Sequence, residues 1–489
     1  LKYLLITTFL LLCAATVVNY HSRPEVRTDK PILYWVTDTH EPRLRNLERF
    51  QNWLKEKGYP EFEVRIDNAS NDVSKKLMQG ISGVGADIIN LARDEAWFLN
   101  STGMLEDLGP YAKKHGFTPD KTWERVRPNL IIDGVQKGFP RATAIQVYYV
   151  NADLLSRHGI GPLPEQWTHG EFERIGKAFV KAANPPGERQ GVFFADSVNR
   201  QAMRRSLGES NLNETMTASH LDRPGNIRSF ALEYQWVHEE RILPSQADLD
   251  FYAGSGTTTS RTQLFLRGKY ALLTGARYTL VQLREADVSF RLRAQEPPHD
   301  HFRNTPLGTG STAIYTHSEH KDLAAYFLEY FTTEEHNMHV VREADAMPPI
   351  PEYAEREEFL RPPEHPDEWH LHPKFAEIMR DIAMPASVSP FILPSTVNRI
   401  EGEVKQAMLS GIYTPEEAAE LGAKRVNARI QSNVREDPAL REQYEKRVER
   451  QMKIERYRAE GKPVPLEWIT NPFYREYYQY RGWSAPETE

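Results

Sequence analysis

Residues 141–172 read RATAIQVYYVNADLLSRHGIGPLPEQWTHGEF, and this stretch decides the fold. Ala144 to Val150 is a β-rich run, Asn151 is placed to cap a short helix, Gly159 and Gly161 break that helix, and a second helix starts after Trp167-Thr168. Tyr148 and Tyr149 stand side by side in the strand. Neighbours in a strand face opposite ways, so one is expected in a core and the other in a cleft. With both in a core, the stretch is an ordinary αβ unit.

Upstream, ILYWVT reads as a strand, and Pro42 opens a helix whose Leu44, Leu47, Phe50 and Leu54 recur at helical spacing. FEVRI is a second strand, 72–81 a second helix, and ADIINLA a third strand followed by a helix over 94–100. Strand and helix alternating at this interval predict a parallel sheet covered by helices. Ligands of such sheets bind beyond the carboxyl ends of the strands. That rule selects Thr37, Asp38 and Thr39 after the first strand, and Arg93 and Asp94 after the third.

Several segments together resemble the sugar-binding, maltodextrin-binding-like family of extracellular solute-binding proteins. They are VYYVNADLL with its Gly turn and Pro-x-x-W-T, the run KLMQGISGVGADIINLARDEAWFLNSTGMLEDLGPY, the run SGTTTSRTQLFLRGKYALLTGARYTLVQL, and GTGSTAIYTHSEHKDLAAYFLEYFTTEEHN. The resemblance covers roughly residues 31–430, with its elements in the family's order. It implies an α/β, two-lobed periplasmic-binding-protein-like fold of type II, with a hinge between the lobes. The expected partition is 31–142 plus 297–350 for lobe 1 and 143–296 plus 351–430 for lobe 2. Residues 1–22 form a signal peptide or anchor, and 431–489 form a helical, aromatic-rich extension.

The resemblance also implies ligand contacts. Asp94 falls where maltodextrin-binding relatives carry a sugar-contacting aspartate, although an aspartate there also suits a helix N-cap. Leu91 and Glu95 stand where relatives carry a stacking tryptophan and an arginine, so the ligand need not be a maltodextrin. Gln146, Tyr148 and Tyr149 fall at the crossing between lobes. Arg277 or Tyr278 takes the place of an aromatic residue facing the ligand, with Tyr278 as a core residue at a helix start the alternative. The amides around Gly308 to Ser311, chiefly Gly310 and Ser311, are close enough to reach a hydroxyl, or they form a plain turn. Relatives place an aromatic pair near Phe391, where Ile392 replaces a tryptophan.

Composition narrows the classes. The chain has 489 residues, 26% charged and 11% aromatic, with a net charge of -7. That length suits more than one domain, and the charge argues against a nucleic-acid binder. Cys13 is the only cysteine, so no intramolecular disulfide or Cys-based metal site is possible. Lys2 precedes an apolar run from Leu4 to Val18, which as a helix would span about 22 Å, short of a ~30 Å hydrocarbon core. It therefore reads as an export signal, with lipidation at Cys13 as one mode of anchoring, disfavoured by the bulky Leu12 before it.

No G-x-x-x-x-G-K-[ST] loop, G-x-S-x-G elbow or H-E-x-x-H motif occurs, and the glycines of GISGVGAD precede a strand instead of following one. His299 with His301, and His365 with His370 and His372, have metal-compatible spacing but sit in Pro- and acid-rich loops, so no metal or other cofactor is expected. Beyond about Gln431, Leu440, Tyr444, Val448 and Met452 recur every four residues in a charged helix, with Glu442 and Glu449 four residues before lysines. The tail is expected to pack on the body, with docking to a membrane partner as the alternative.

The resulting reading is a non-catalytic, exported receptor, expected to be a monomer. It would close on a small ligand, expected to be a carbohydrate, and deliver it to the permease subunits of an ATP-driven importer. A secreted carbohydrate-active enzyme and a receptor for a non-sugar solute such as a peptide are the alternatives.

Overall fold

The computed structural model describes residues 30–485, apart from 40, 68–72, 84, 92–94, 188–189, 255–259 and 287. The N-terminal segment with Cys13, and Asp94, therefore lie outside the described residues.

The first α/β unit begins with β1 (Ile32–Val36), α1 (Glu41–Lys57), β2 (Glu63–Asp67), α2 (Val73–Ile81), β3 (Ile88–Leu91) and α3 (Glu95–Ser101). β1 lies between β2 and β3, parallel to both. Its Leu33 and Trp35 are fully buried while Tyr34 is half exposed, the period-2 alternation expected of a pleated strand. From α1, Phe50, Trp53 and Leu54 enter the core, and Leu44 is left exposed.

The chain then passes along β4 (Phe139–Ile145) and, after the single residue Gln146, into β5 (Val147–Asn151) of a second sheet. Asn151 caps the next helix by accepting from the Leu154 amide at 2.8 Å. Thr168 and Glu171 form a reciprocal capping box that starts α4 (His169–Ala183), as the Trp167-Thr168 punctuation predicts. β6 (Phe193–Ala195), β7 (Tyr270–Gly275) and β8 (Leu292–Gln295) complete this four-stranded sheet in the order β8-β5-β7-β6.

The chain returns to the first sheet in β9 (Thr305–Ile314). This long strand runs antiparallel to β4 on one side and to β3 on the other, and it meets the short β10 (Ala383–Met384) in parallel at its start. Three crossings between the sheets thus lie side by side. Thr305 joins them: its amide donates to Ile382 O at 2.9 Å, and its hydroxyl donates to the carbonyl of Gln146. Residues 351–382, expected in the second lobe, pack Tyr353, Phe359 and Phe375 into an apolar cluster that includes Trp35 below the first sheet and Tyr149 and Leu273 below the second.

Helices α5 (Arg200–Ser206), α6 (Pro224–His238), α7 (Pro394–Leu409) and α8 (Pro415–Glu436) build the rest of the second unit. The Thr414-Pro415-Glu416-Glu417 start of α8 closes as a second capping box. The extension follows as α9 (Pro438–Ala459) and α10 (Pro472–Tyr480). Its aromatic residues Phe473, Tyr474, Tyr477 and Tyr478 are buried with Met384 and Phe302, so the tail packs on the body. Glu442 pairs with Lys446 at 2.6 Å. The predicted apolar stripe of α9 is corrected at its end: Met452 is exposed, and Arg447, Gln451 and Ile454 are buried instead. A four-residue repeat gains about 40° per step on a 3.6-residue helix, so three steps rotate Met452 off the packed face.

Candidate functional site

The first wall of the site is made by the carboxyl end of β1 with β4, β9 and the turn at 344–347. Thr37 is buried, Asp38 partly buried and Thr39 exposed. Arg43, on the first turn of α1, reaches back to both nearby acids: its Nη1 lies 2.8 Å from Asp345 Oδ2, and its Nε lies 3.5 Å from Asp38 Oδ2. Burial pushes the Asp345 carboxyl up, but Arg43 and Arg141 outweigh this and hold it below its ordinary value. Arg141 lies in β4, almost wholly buried, and burial assisted by Arg43 lowers its guanidinium to about 9, against the pull of Asp345 and Asp38.

Arg141 is the extra residue of a bulge in β4, since Gly310 of β9 pairs with Ala142 and Ser311 with Pro140. A methyl group at Gly310 would meet Ala142 O at 3.4 Å and Arg141 Nη2 at 3.5 Å, ordinary van der Waals distances that place this backbone directly against the guanidinium. Ser311, expected beside the ligand, is paired with Leu91 and buried, and Leu91 itself belongs to the cluster against α2 and α3. Glu95 is likewise turned inward, in a buried ion pair with Lys76 at 2.6 Å.

The second wall forms at the carboxyl ends of β6 and β7. The buried Asp196 accepts from the Thr274 amide at 2.7 Å and from its hydroxyl at 3.0 Å, and it pairs with Arg261. Arg261 Nη2 also donates to Ser197 Oγ at 2.6 Å. Sequence reasoning missed Asp196, Thr274 and Arg261. Asp196 did carry a signal, as the acid that ends the VFFAD strand, where the carboxyl-end rule applies. Tyr278, at the start of its helix, is 48% exposed and keeps a flat face available. Gln146 is partly exposed between the walls and accepts a hydrogen bond from Asn199 Nδ2.

Three expectations are corrected. Tyr148 and Tyr149 do face opposite ways, but both are buried. Tyr148 packs near Trp167 and Phe172, and the Tyr149 hydroxyl donates to Ala276 O at 2.8 Å beside Phe375. The reason is that the second sheet is covered on both faces, so neither side of β5 opens to a cleft. Arg277 directs its terminal nitrogens at main-chain carbonyls, Nη1 at Val340 O (3.1 Å) and Ala346 O (2.8 Å) and Nη2 at Val341 O (2.8 Å), while its Nε has no partner. It therefore caps the end of helix Glu334–Glu343 and ties the second sheet to the first unit, with Phe359 under its guanidinium.

Phe391 is also fully buried. Tyr444 of α9 packs edge-on to it at 5.1 Å, and the Arg447 guanidinium lies 5.5 Å from its ring centre and 5.7 Å from that of Trp97 in the first unit. The extension thus covers Phe391, which was unreadable because the resemblance ends near residue 430. Two of these histidines have hydrogen-bond partners, His372 bonding Glu368 at 3.0 Å and His370 the Leu292 carbonyl, whereas the buried Nδ1 of His299 has none. Among the described residues no group of three metal-binding side chains comes together. Also among them, no helix is long and apolar enough to cross a membrane.

Comparison with known proteins agrees with this architecture. A family model, bacterial extracellular solute-binding protein, matches residues 48–367. No curated protein matches the sequence. An ABC substrate-binding protein from Listeria monocytogenes in complex with cycloalternan superposes with a TM-score of 0.68 at 20% identity, over 82% of this chain and 99% of its own. The maltose/maltodextrin-binding domain MalE of Bdellovibrio bacteriovorus bound to maltotriose gives 0.62 at 15%, over 83% and 100%. UgpB from Mycobacterium tuberculosis in complex with glycerophosphocholine gives 0.65 at 13%, also over 83% and 100%. At these identities the shared property is the two-lobed fold, and the family match covers well over half of the chain. The chain belongs to the bacterial extracellular solute-binding protein family.

Proposed function

We propose that this chain is the receptor of an ATP-driven importer, and that it captures a small carbohydrate between its lobes and presents it to membrane permease subunits. The observation that carries the reading is the set of three adjacent crossings at Gln146, Thr305 and Ala383, flanked by two walls that still offer polar and aromatic groups. Asp38, Thr39 and Arg141 stand on one wall and Tyr278 on the other. A flat aromatic face with a few fixed polar groups suits a polyol. Several structural neighbours hold sugars, which supports the same class.

Rotation at the crossings would close the walls on the ligand, and the permease would read closure as the loaded state. The partition proposed is 31–142 plus 297–350, 143–296 plus 351–430, and the extension 431–489. The receptor acts as a monomer without catalysis, exported and held or released by its N-terminal segment. A disaccharide of about 23 heavy atoms at roughly -0.3 kcal/mol per atom gives about -7 kcal/mol, a dissociation constant near 10 µM. A thermal-shift screen of the exported domain tests the reading. Stabilisation by sugars, with the sugar recovered unchanged after long incubation, is expected. Stabilisation by peptides or amino acids and by no sugar would sink it, and turnover of the sugar would replace the receptor with an enzyme.

A further inference from the structure

Each of the other deeply buried arginines has at least a hydrogen bond or a ring contact, although Arg204 Nε, Arg277 Nε and Arg447 Nη1 are also without a partner. Arg277 bonds three carbonyls, Arg205 donates to Met384 O and Pro385 O, Arg204 forks onto Glu401, and Arg447 stacks on Trp97 and Phe391. Arg141 is the exception. It is 6% exposed, and among the described residues it alone of the buried arginines has neither a hydrogen bond from any guanidinium nitrogen nor a ring beneath it. The two acids beside it are drawn to Arg43, at 2.8 and 3.5 Å. A buried cation without an acceptor is among the costliest groups to keep in a fold. Its retention next to Gly310, on the wall of the candidate site, calls for an acceptor that arrives from outside.

We infer that Arg141 receives an oxyanion of the ligand, so that the solute is an acidic sugar carrying a carboxylate or a phosphate ester. The guanidinium is a planar fork that matches either group with two parallel hydrogen bonds, whereas a single hydroxyl would leave donors unused. Arg43 bonds Asp345 and lies 3.5 Å from Asp38, so the guanidinium donors of Arg141 remain available to an incoming anion. The inference rests on the sugar-receptor reading and deepens it.

Titration calorimetry on the full chain at neutral pH and low salt tests it, with D-glucose, D-glucuronate, D-glucose 6-phosphate, maltose, a disaccharide ending in one uronate, and glycerol 3-phosphate as probes. Acidic sugars are expected to bind at least tenfold tighter than their neutral counterparts. R141Q should erase that preference, and R141K should keep part of it. The uronate and phosphate arms identify which acid is carried. Neutral sugars binding as well as acidic ones would overturn the inference and leave the sugar reading standing. Glycerol 3-phosphate binding alone would do the reverse. Binding of none of the acids also overturns the inference. A second readout needs no ligand: R141Q should unfold within about 2–4 °C of the parent, since the charge it removes donates no hydrogen bond and meets Asp345 and Asp38 only through space. A larger fall would mean that Arg141 serves the fold.

Discussion

Replacing Arg277 by Met separates a structural arginine from a ligand-binding one. The guanidinium is 1% exposed, donates to Val340 O, Val341 O and Ala346 O at 2.8–3.1 Å, and sits 4.7 Å from the centre of the Phe359 ring. Burial, with Arg284 nearby, lowers it to about 9, so it stays charged at neutral pH. Methionine retains the apolar stem but leaves the carbonyls at the helix end without their donor. Val341 O keeps one further donor, the Ala344 amide at 3.4 Å. Unpaired buried acceptors cost about 1–3 kcal/mol each, and breaking a buried charged set typically costs about 3–5 kcal/mol. At about 2–4 °C per kcal/mol for a unit of this size, the thermal midpoint should fall by about 10 °C. Urea unfolding and calorimetry on one preparation give both quantities needed, with ligand affinity expected within about threefold of the parent. An unchanged midpoint with affinity lost would refute the reasoning and return Arg277 to the ligand.

The buried tyrosines make a parallel case: Tyr148→Ala and Tyr149→Ala should each cost about 3–5 kcal/mol in urea unfolding, and a stable variant with weakened binding would place that ring in the cleft. Glu209, beside the extension, is pushed up to about 7 by burial, against the donated Tyr474 hydroxyl at 2.7 Å. Its folded value exceeds the ordinary 4.5, so its contribution to stability is complete below about pH 4.5 and is lost as pH rises through 7, by up to about 3 kcal/mol. Glu209→Gln should flatten that part of the stability profile. His220 is shifted down and acts in the opposite sense in both proteins, so a profile unchanged by the substitution would discard the assignment. Finally, Arg447→Ala removes a cation from two rings and should weaken docking of α9 by about 1–2 kcal/mol, seen as faster proteolysis within 438–459. Equal cleavage rates would show that the stacking holds nothing.

Local chemistry made much of this architecture legible. Caps at Asn151, Thr168 and Thr414 and the alternation of Leu33, Tyr34 and Trp35 are written within a few residues of where they act, whereas the run from Ala144 to Val150, read as one strand, is divided at Gln146 between two sheets. The site was less legible, because its members are chosen by partners distant in the chain. Nothing near Arg277 announces the carbonyls of 340–346, and nothing near Phe391 announces Tyr444 and Arg447. The Tyr148-Tyr149 pair shows another limit: alternation fixes that two side chains face opposite ways, but not what covers each face. Here α4 and its neighbours cover one and the 372–381 helix the other. Charge misled as well, since Arg141, Arg205 and Arg447 are buried where composition suggests a solvated residue.

The place of β9 carries a consequence for how the chain assembles in time. This strand lies between β3 and β4, yet it emerges only after the whole of the second sheet has been synthesised, and β10 joins its edge later still. Until residue 314 is available, β3 and β4 each present an unpaired edge, and the first sheet has no middle. Such late, long-range pairing is slow and leaves exposed strand edges prone to wrong partners. The second sheet, whose strands all lie between 147 and 295, has every one of its pairings available first. On nascent chains stalled after residue 300 and clear of the ribosome it should therefore already show hydrogen-exchange protection, with the first sheet completing around it once residue 314 is available.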